Sequence, residues 1–350
     1  MQNHLNTLST VHASDVPVLH TRDLTIGYAP ARKPQIVVKA GIDATLQRGE
    51  LVCLIGPNGA GKSTLLRTLA GMQNALSGEV LLMDTPIQSF SVSERAKHLS
   101  LVLTEHPNTG FMTGYELVTL GRHPYTDWSG RLSDDDERKV MWAVEAVDAV
   151  DIAERPVSEL SDGQRQKIMI ARALAQDPDV MLLDEPTAFL DLPRRVEIMQ
   201  MLRTLAHTTG SAILLSTHDL DLALRTADRI WLMAEGLPLM IGAPEDLVLE
   251  GAFSKAFDSE GVQFDPVTGS FVLRQIQSAS IHLSGNGLPY EWTRRALERA
   301  GYRLHTDDSA DVPHAQISIN ESANGAVWTL RVGEVQSTHE SIYGLIDALR

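Results

Sequence analysis

Eight consecutive residues, Gly56-Pro57-Asn58-Gly59-Ala60-Gly61-Lys62-Ser63, follow the spacing G-x-x-x-x-G-K-S. The chemistry open to that spacing is phosphate binding. Glycines let backbone N–H groups converge on phosphate oxygens, a lysine reaches the terminal phosphates, and a serine hydroxyl can ligate Mg²⁺. Such a loop must leave a strand and open a helix, whose N-terminus adds positive potential. The apolar run 52–55 precedes it, and a helical pattern over 64–70, starting at Thr64, follows it. Alone, the loop fits kinases, GTPases and many ATPases equally.

Two acids, Asp184 and Glu185, close the apolar run 180–183. Strand ends are where α/β sheets place ligands. Asp184 is suited to hold Mg²⁺. Glu185 is then positioned to orient the water that attacks a γ-phosphate, or to accept its proton, because phosphoryl transfer needs positioning and charge neutralisation more than covalent help. His218, in Ser216-Thr217-His218-Asp219, also ends an apolar run, 212–215.

These groups need a scaffold that brings several strand ends together. From residue 19 to 273, short β-rich runs (52–55, 180–183, 212–216, 230–233) alternate with longer helical patterns. That alternation predicts an α/β fold with a parallel sheet. A helix is expected over the stretch bearing Ile168, Ala171, Leu174 and Ala175, ending before Asp177-Pro178. A turn-rich stretch at 264–269 precedes a change of pattern. Residues 1–17 are thus expected to form a flexible tail, 18–275 the main domain, and 276–350 a small α+β appendage. In the appendage, strands are expected near 281–283, 316–320 and 327–332, with helices over 291–300 and around Ile342–Leu349; Trp292 and Trp328 are expected in its core.

Composition narrows the partners. The 350 residues carry 30 Lys and Arg against 45 Asp and Glu, a formal charge of −15 that disfavours a phosphate backbone as partner. The single cysteine, Cys53, sits in an apolar run and reads as a buried core thiol with no disulfide partner in the chain. No basic start with an apolar stretch and cleavage site opens the sequence, and its apolar runs are far below the roughly 20 residues that cross a bilayer. Membrane association is therefore expected to go through a partner. The scattered histidines offer no zinc-site spacing.

Leu160-Ser161-Asp162-Gly163-Gln164, followed by Arg165-Gln166-Lys167, resembles the signature motif of ABC transporter ATP-binding subunits. The resemblance extends over about the first 275 residues. It implies a P-loop cassette with a parallel-sheet core, an antiparallel β subdomain and a helical subdomain around 113–153. It implies ATP and Mg²⁺ as ligands, and a homodimer in which Ser161, Gly163 and Gln164 of one cassette cap the ATP on the other's P-loop. A carboxylate facing phosphate is repulsive, so Asp162, where the family has Gly, is expected to point away.

By the same resemblance Tyr28 matches the aromatic that stacks on adenine, Asp191 the loop crossing between cassettes, and His218 the switch histidine at the γ-phosphate. Glu105 stands near the family's glutamine that links Mg²⁺ and attacking water to the membrane subunit, making it a third metal candidate beside Ser63 and Asp184. The segment from Gly121-Arg122-His123-Pro124-Tyr125 through Trp128 to Ser133 resembles importers of ferric siderophores, haem and cobalamin, in the region that docks the permease. The implied function is ATP hydrolysis at the cytoplasmic face of the cell membrane, powering permease subunits fed by an extracytoplasmic binding protein. Iron(III) chelates come first as cargo, with haem and cobalamin as alternatives. A soluble ABC ATPase acting on nucleic acid is the competing class; the single cassette, the lack of a long coiled coil and the charge count against it. A nucleotide-binding regulator of low turnover is the third reading, opposed by Glu185 and His218.

Overall fold

A computed structural model describes residues 16–30, 34–104, 110–127, 130–258, 261–273, 279–305, 313–322 and 325–349. The chain divides into two compact units, Met1–Val272 and Leu273–Arg350.

The first unit is built on a six-stranded sheet. Its spatial order runs Met240–Gly242, Arg229–Leu232, Leu51–Ile55, Ala212–Ser216, Val180–Leu183 and Leu99–Val102. All neighbours pair in parallel except Met240–Gly242, which runs antiparallel at one edge. The strands Leu51–Ile55, Val180–Leu183 and Ala212–Ser216 are buried at every position. That explains the apolar runs 51–55, 180–183 and 212–215, since both faces of such a sheet are covered. Period-two alternation still sorts their side chains between two cores. Leu51, Cys53, Ile55, Met181, Leu183, Ile213 and Leu215 join one core with the helical residues Val118, Val144, Ile168 and Leu202. Val52, Leu54, Val180, Leu182 and Leu214 join the other with Leu65, Leu66 and Leu69 and with the antiparallel sheet. At roughly 1.5–3 kcal/mol per buried large aliphatic side chain, these two layers are the main force holding the strand ends in place.

The antiparallel sheet comprises Leu19–Tyr28, Ile36–Ile42, Ser77–Leu82 and Thr85–Pro86, with Thr45–Leu46 paired to the first of them. The helical region contains Gly114–Thr119, a 3₁₀ segment Leu120–Tyr125, and Asp134–Ala146, packed on the helix Asp162–Ala175. Capping boxes at Thr113, Ser133 and Ser161 start its three α-helices. Among the described residues no helix is long and apolar enough to cross a membrane. Cys53 is fully buried, and that burial pushes its thiol pKa up.

The second unit is a five-stranded mixed sheet in the order Tyr302–Leu304, Ala279–Ser284, Ala315–Ser322, Gly325–Val332, Val335–His339, with helices Gly287–Arg299 and Ile342–Ala348. Two of its strands escape the sequence pattern. Tyr302–Leu304 is only three residues long, and Val335–His339 is an edge strand with no apolar alternation. Trp328 lies in the core, its indole N–H donating to Thr293 Oγ1 at 2.7 Å. Trp292 does not join it: the helix turns that ring outward, 54% exposed, with the Arg295 guanidinium 5.3 Å from its centre.

Candidate functional site

The parallel sheet sets Ile55, Leu183 and Ser216 at the same edge, through the register Leu54↔Ser216 and Leu183↔Leu215. The residues that follow these strand ends, Gly56–Ser63, Asp184-Glu185 and Thr217-His218, therefore emerge side by side. One cleft is lined by Asn58, Gly59, Gly61, Lys62, Ser63 and Thr64, with Tyr28, Val38, Glu185 and His218.

The loop's backbone demands glycine. Gly61 has φ +101°, and a Cβ there would sit 2.3 Å from Val38 Cγ1; at Gly56 it would sit 2.0 Å from the Met233 carbonyl oxygen. Lys62 opens the helix Lys62–Leu69, and its ammonium donates to the carbonyls of Gly56 at 2.7 Å and Pro57 at 3.1 Å. Two of its three protons are thus spent on the loop, leaving one donor for a ligand. Burial lowers the Lys62 pKa, while Glu185 and Asp184 pull it the other way.

Ser63 Oγ donates to Asp184 Oδ1 at 3.1 Å. A hydroxyl and a carboxylate converging this way form the hard-oxygen donor set that Mg²⁺ takes, so the residues fit the ion. Glu105 lies outside the described residues, as do Trp128 and Ser129 of the importer-like segment. Glu185 adopts φ +52°, a left-handed conformation uncommon away from glycine. Its carboxylate meets His218 Nε2 at 2.5 Å. Tyr28 ends the strand Leu19–Tyr28 half-exposed over the cleft, with its hydroxyl 2.8 Å from Thr64 Oγ1.

Ser161, Gly163, Gln164 and Asp191 are not among the residues lining this cleft. Ser161 caps the helix Asp162–Ala175, accepting from Gln164 N–H at 3.3 Å, while its own N–H donates to Gln164 Oε1 at 3.1 Å. Gly163 and Gln164 line a different concavity with Asp148, Lys167, Arg194 and Glu197. Asp162 turns to Arg165, whose guanidinium donates to it at 3.1 Å. Asp191 caps the helix Leu192–Thr209 through the Arg194 N–H.

Three features have no sequence signal. Val38 enters the cleft because its strand pairs beside Tyr28, through Gly27↔Val37 and Tyr28↔Ile36. Thr104 and Ser216 grip the Asp184-Glu185 turn from the two neighbouring strands: Thr104 Oγ1 donates to the Asp184 carbonyl at 2.8 Å, and Ser216 Oγ donates to Asp184 Oδ1 at 2.7 Å. The importer-like segment also turns partly inward. Gly121 and Arg122 are buried, and a Cβ on Gly121 would lie 2.2 Å from the Arg172 carbonyl oxygen. Arg122 donates to Asp136 Oδ1 and to the Ala175 carbonyl, both at 2.8 Å, and its guanidinium stacks 3.8 Å from the centre of the Tyr125 ring.

Residues 40–188 match the family model described as ABC transporter, and residues 278–350 match one described as Iron ABC transporter C-terminal domain. The chain is 42% identical over 257 residues to an uncharacterized ABC transporter ATP-binding protein of Methanocaldococcus jannaschii, covering 73% of this chain and 87% of the relative. It is 35% identical over 251 residues to the iron(3+)-hydroxamate import ATP-binding protein of Bacillus subtilis, covering 71% and 91%. Among solved structures it is similar to a dimeric bacterial ABC transporter cassette, with a TM-score of 0.56 and 25% identity over 65% of this chain and 98% of that one.

Proposed function

Because the chain belongs to the ATP-binding proteins of ABC transporters, we propose that it hydrolyses ATP to drive uptake of an iron(III) chelate through permease subunits. The observation that carries the ATPase reading is the single cleft in which the P-loop, Tyr28, Glu185 and His218 meet. Tyr28 offers its ring to the base, with Val38 beside it, and the glycine-lined loop and Lys62 take the phosphates. Mg²⁺, held by Ser63 and Asp184 with Glu105 as a third candidate ligand, would supply charge neutralisation on the phosphates. Glu185 orients the attacking water, and His218 holds the Glu185 carboxylate in place while presenting its ring to the γ-phosphate.

The signature residues lie outside that cleft, and this supports a composite site completed by a second copy. Gly163 carries the same implication. The atoms nearest to a Cβ there belong to Arg194 and Leu190, at 3.8 Å, which is ordinary contact. Among the described residues no close contact excludes a side chain there, which is consistent with a glycine kept for an approach from outside. Ser161, Gly163 and Gln164 of one cassette then face the phosphates held by the other, with Asp191 between them. ATP closes the pair and hydrolysis opens it, moving the permease.

Iron(III) chelate as cargo rests on the C-terminal match and on the hydroxamate-import relative. An extracytoplasmic binding protein would deliver it, and the subunit would sit at the cytoplasmic face of the membrane. The test is purification of the subunit from its native membrane, followed by an ATPase assay with candidate binding-protein–chelate pairs. A co-purifying polytopic permease with hydrolysis stimulated by a ferric chelate is the expected result. Recovery with nucleic acid and no permease would overturn the transport reading.

A further inference from the structure

The Ser216 hydroxyl is fully buried and makes two hydrogen bonds to consecutive residues of the neighbouring strand end. It donates to Asp184 Oδ1 at 2.7 Å and accepts from the Glu185 backbone N–H at 2.9 Å. A serine hydroxyl has one proton to give, and here that proton and one lone pair go to the two acids of the site. We infer that Ser216 is a positioning residue for the proposed hydrolysis, fixing the Asp184 carboxylate and the Glu185 backbone relative to one another.

The geometry explains why a hydroxyl is required there. Leu215 pairs with Leu183, so Ser216 stands level with Asp184 across the sheet. Its other neighbour in register is Leu54, which offers no polar side chain. The Glu185 N–H has just left the sheet ladder, and Glu185 itself is held at φ +52°. A residue in that conformation persists only where its surroundings over-determine it. Ser216 supplies one such restraint. Thr104, from the opposite side, supplies another by donating to the Asp184 carbonyl. Removing the Ser216 oxygen leaves the Glu185 N–H without its partner and gives Asp184 a new freedom, while Lys62, the loop glycines and Tyr28 keep their own contacts.

The inference rests on the reading of Asp184 and Glu185 as the metal-holding and water-orienting acids, and its test separates the two. Wild type and Glu185→Gln serve as controls: loss of turnover in Glu185→Gln establishes that reading independently. Ser216→Ala is then expected to lower kcat about 10- to 100-fold, up to the roughly 100-fold that a misplacement of about 1 Å costs. Its dissociation constant for ATP, measured in the presence of EDTA, should stay within about threefold of wild type. Ser216→Thr, which keeps the hydroxyl, and Ser216→Val, which has the same bulk without it, isolate the oxygen from packing. Threonine is expected to exceed valine in kcat by at least about 10-fold, with similar ATP affinity. Parental kcat in Ser216→Ala, or equal kcat in the Thr and Val variants, would overturn the proposal. So would a matching loss of ATP affinity in Ser216→Ala, which would mark collapse of the whole site instead of displaced acids.

Discussion

His218 Nε2 and Glu185 Oε1 lie 2.5 Å apart, joining the end of one parallel strand to the end of its neighbour. Each is more than a quarter exposed to the cleft, so the pair is held yet accessible to a ligand.

Glu185→Gln should bind ATP like wild type yet lose at least about 100-fold in turnover, and should accumulate as a dimer in ATP. Equilibrium binding, phosphate release and size-exclusion chromatography with ATP read the three effects. Near-normal turnover would show that another group orients the water. His218→Ala should also lose turnover, without gaining the stable ATP dimer.

Lys62→Ala removes the ammonium that donates to the Gly56 and Pro57 carbonyls of the loop. Its dissociation constant for ATP should rise by about 10-fold or more, equivalent to at least about 1.4 kcal/mol. Fluorescent-nucleotide titration measures it directly. Binding as tight as wild type would mean the phosphates sit elsewhere.

Tyr28→Ala should weaken nucleotide binding by about 3- to 10-fold, the worth of one aromatic stacking contact. Tyr28→Phe keeps the ring and loses only the contact with Thr64 Oγ1, so it should bind almost like wild type. Equal losses in the two variants would place the importance in the hydroxyl and not in the ring.

Gly163→Ala meets nothing nearer than 3.8 Å among the described residues. Thermal unfolding of the subunit should be unchanged or slightly raised, since alanine is the better helix former by about 1 kcal/mol. ATP-driven dimerisation in the Glu185→Gln background should nevertheless fall. Full dimerisation would argue that nothing approaches this glycine closely.

Arg122→Met breaks a pair whose side chains are only 3% and 9% exposed, leaving Asp136 as a buried carboxylate without its cation. The expected cost is about 3–5 kcal/mol of unfolding free energy, readable by urea denaturation. Pairing it with Asp136→Leu should recover much of that, because no unpaired charge remains. There is a pH signature as well. Burial raises the Asp136 pKa, but bonds from Ser133 and Arg122 outweigh it and leave the carboxyl below its usual value. A lowered carboxylate pKa stabilises the fold above the unfolded value near 3.9 and loses that contribution as pH falls through the folded one. Asp136→Asn should therefore flatten the acid side of the stability profile.

The parts of this protein legible in its sequence are those whose geometry is local. The phosphate loop, the two acids at 184 and 185 and the stretch 160–167 each carry their own strand or helix context in a few adjacent residues. The alternation of β-rich and helical runs likewise announces the α/β core, because a strand buried on both faces must be apolar throughout. The tertiary structure decided what depends on register and on which way a surface turns. Ser216 reaches Asp184 only because Leu215 pairs with Leu183, and Val38 reaches the cleft only because its strand lies against Tyr28. Arg122 is a buried strut, although the resemblance set its segment in the region that docks a permease, and Trp292 is an exposed ring, although the pattern of the appendage pointed it into the core. Spacing along a chain sets local hydrogen bonding, whereas contacts between strands and the direction a helix face takes follow from how whole layers pack. The separation of Ser161 and Gly163 from the P-loop cleft is of that second kind.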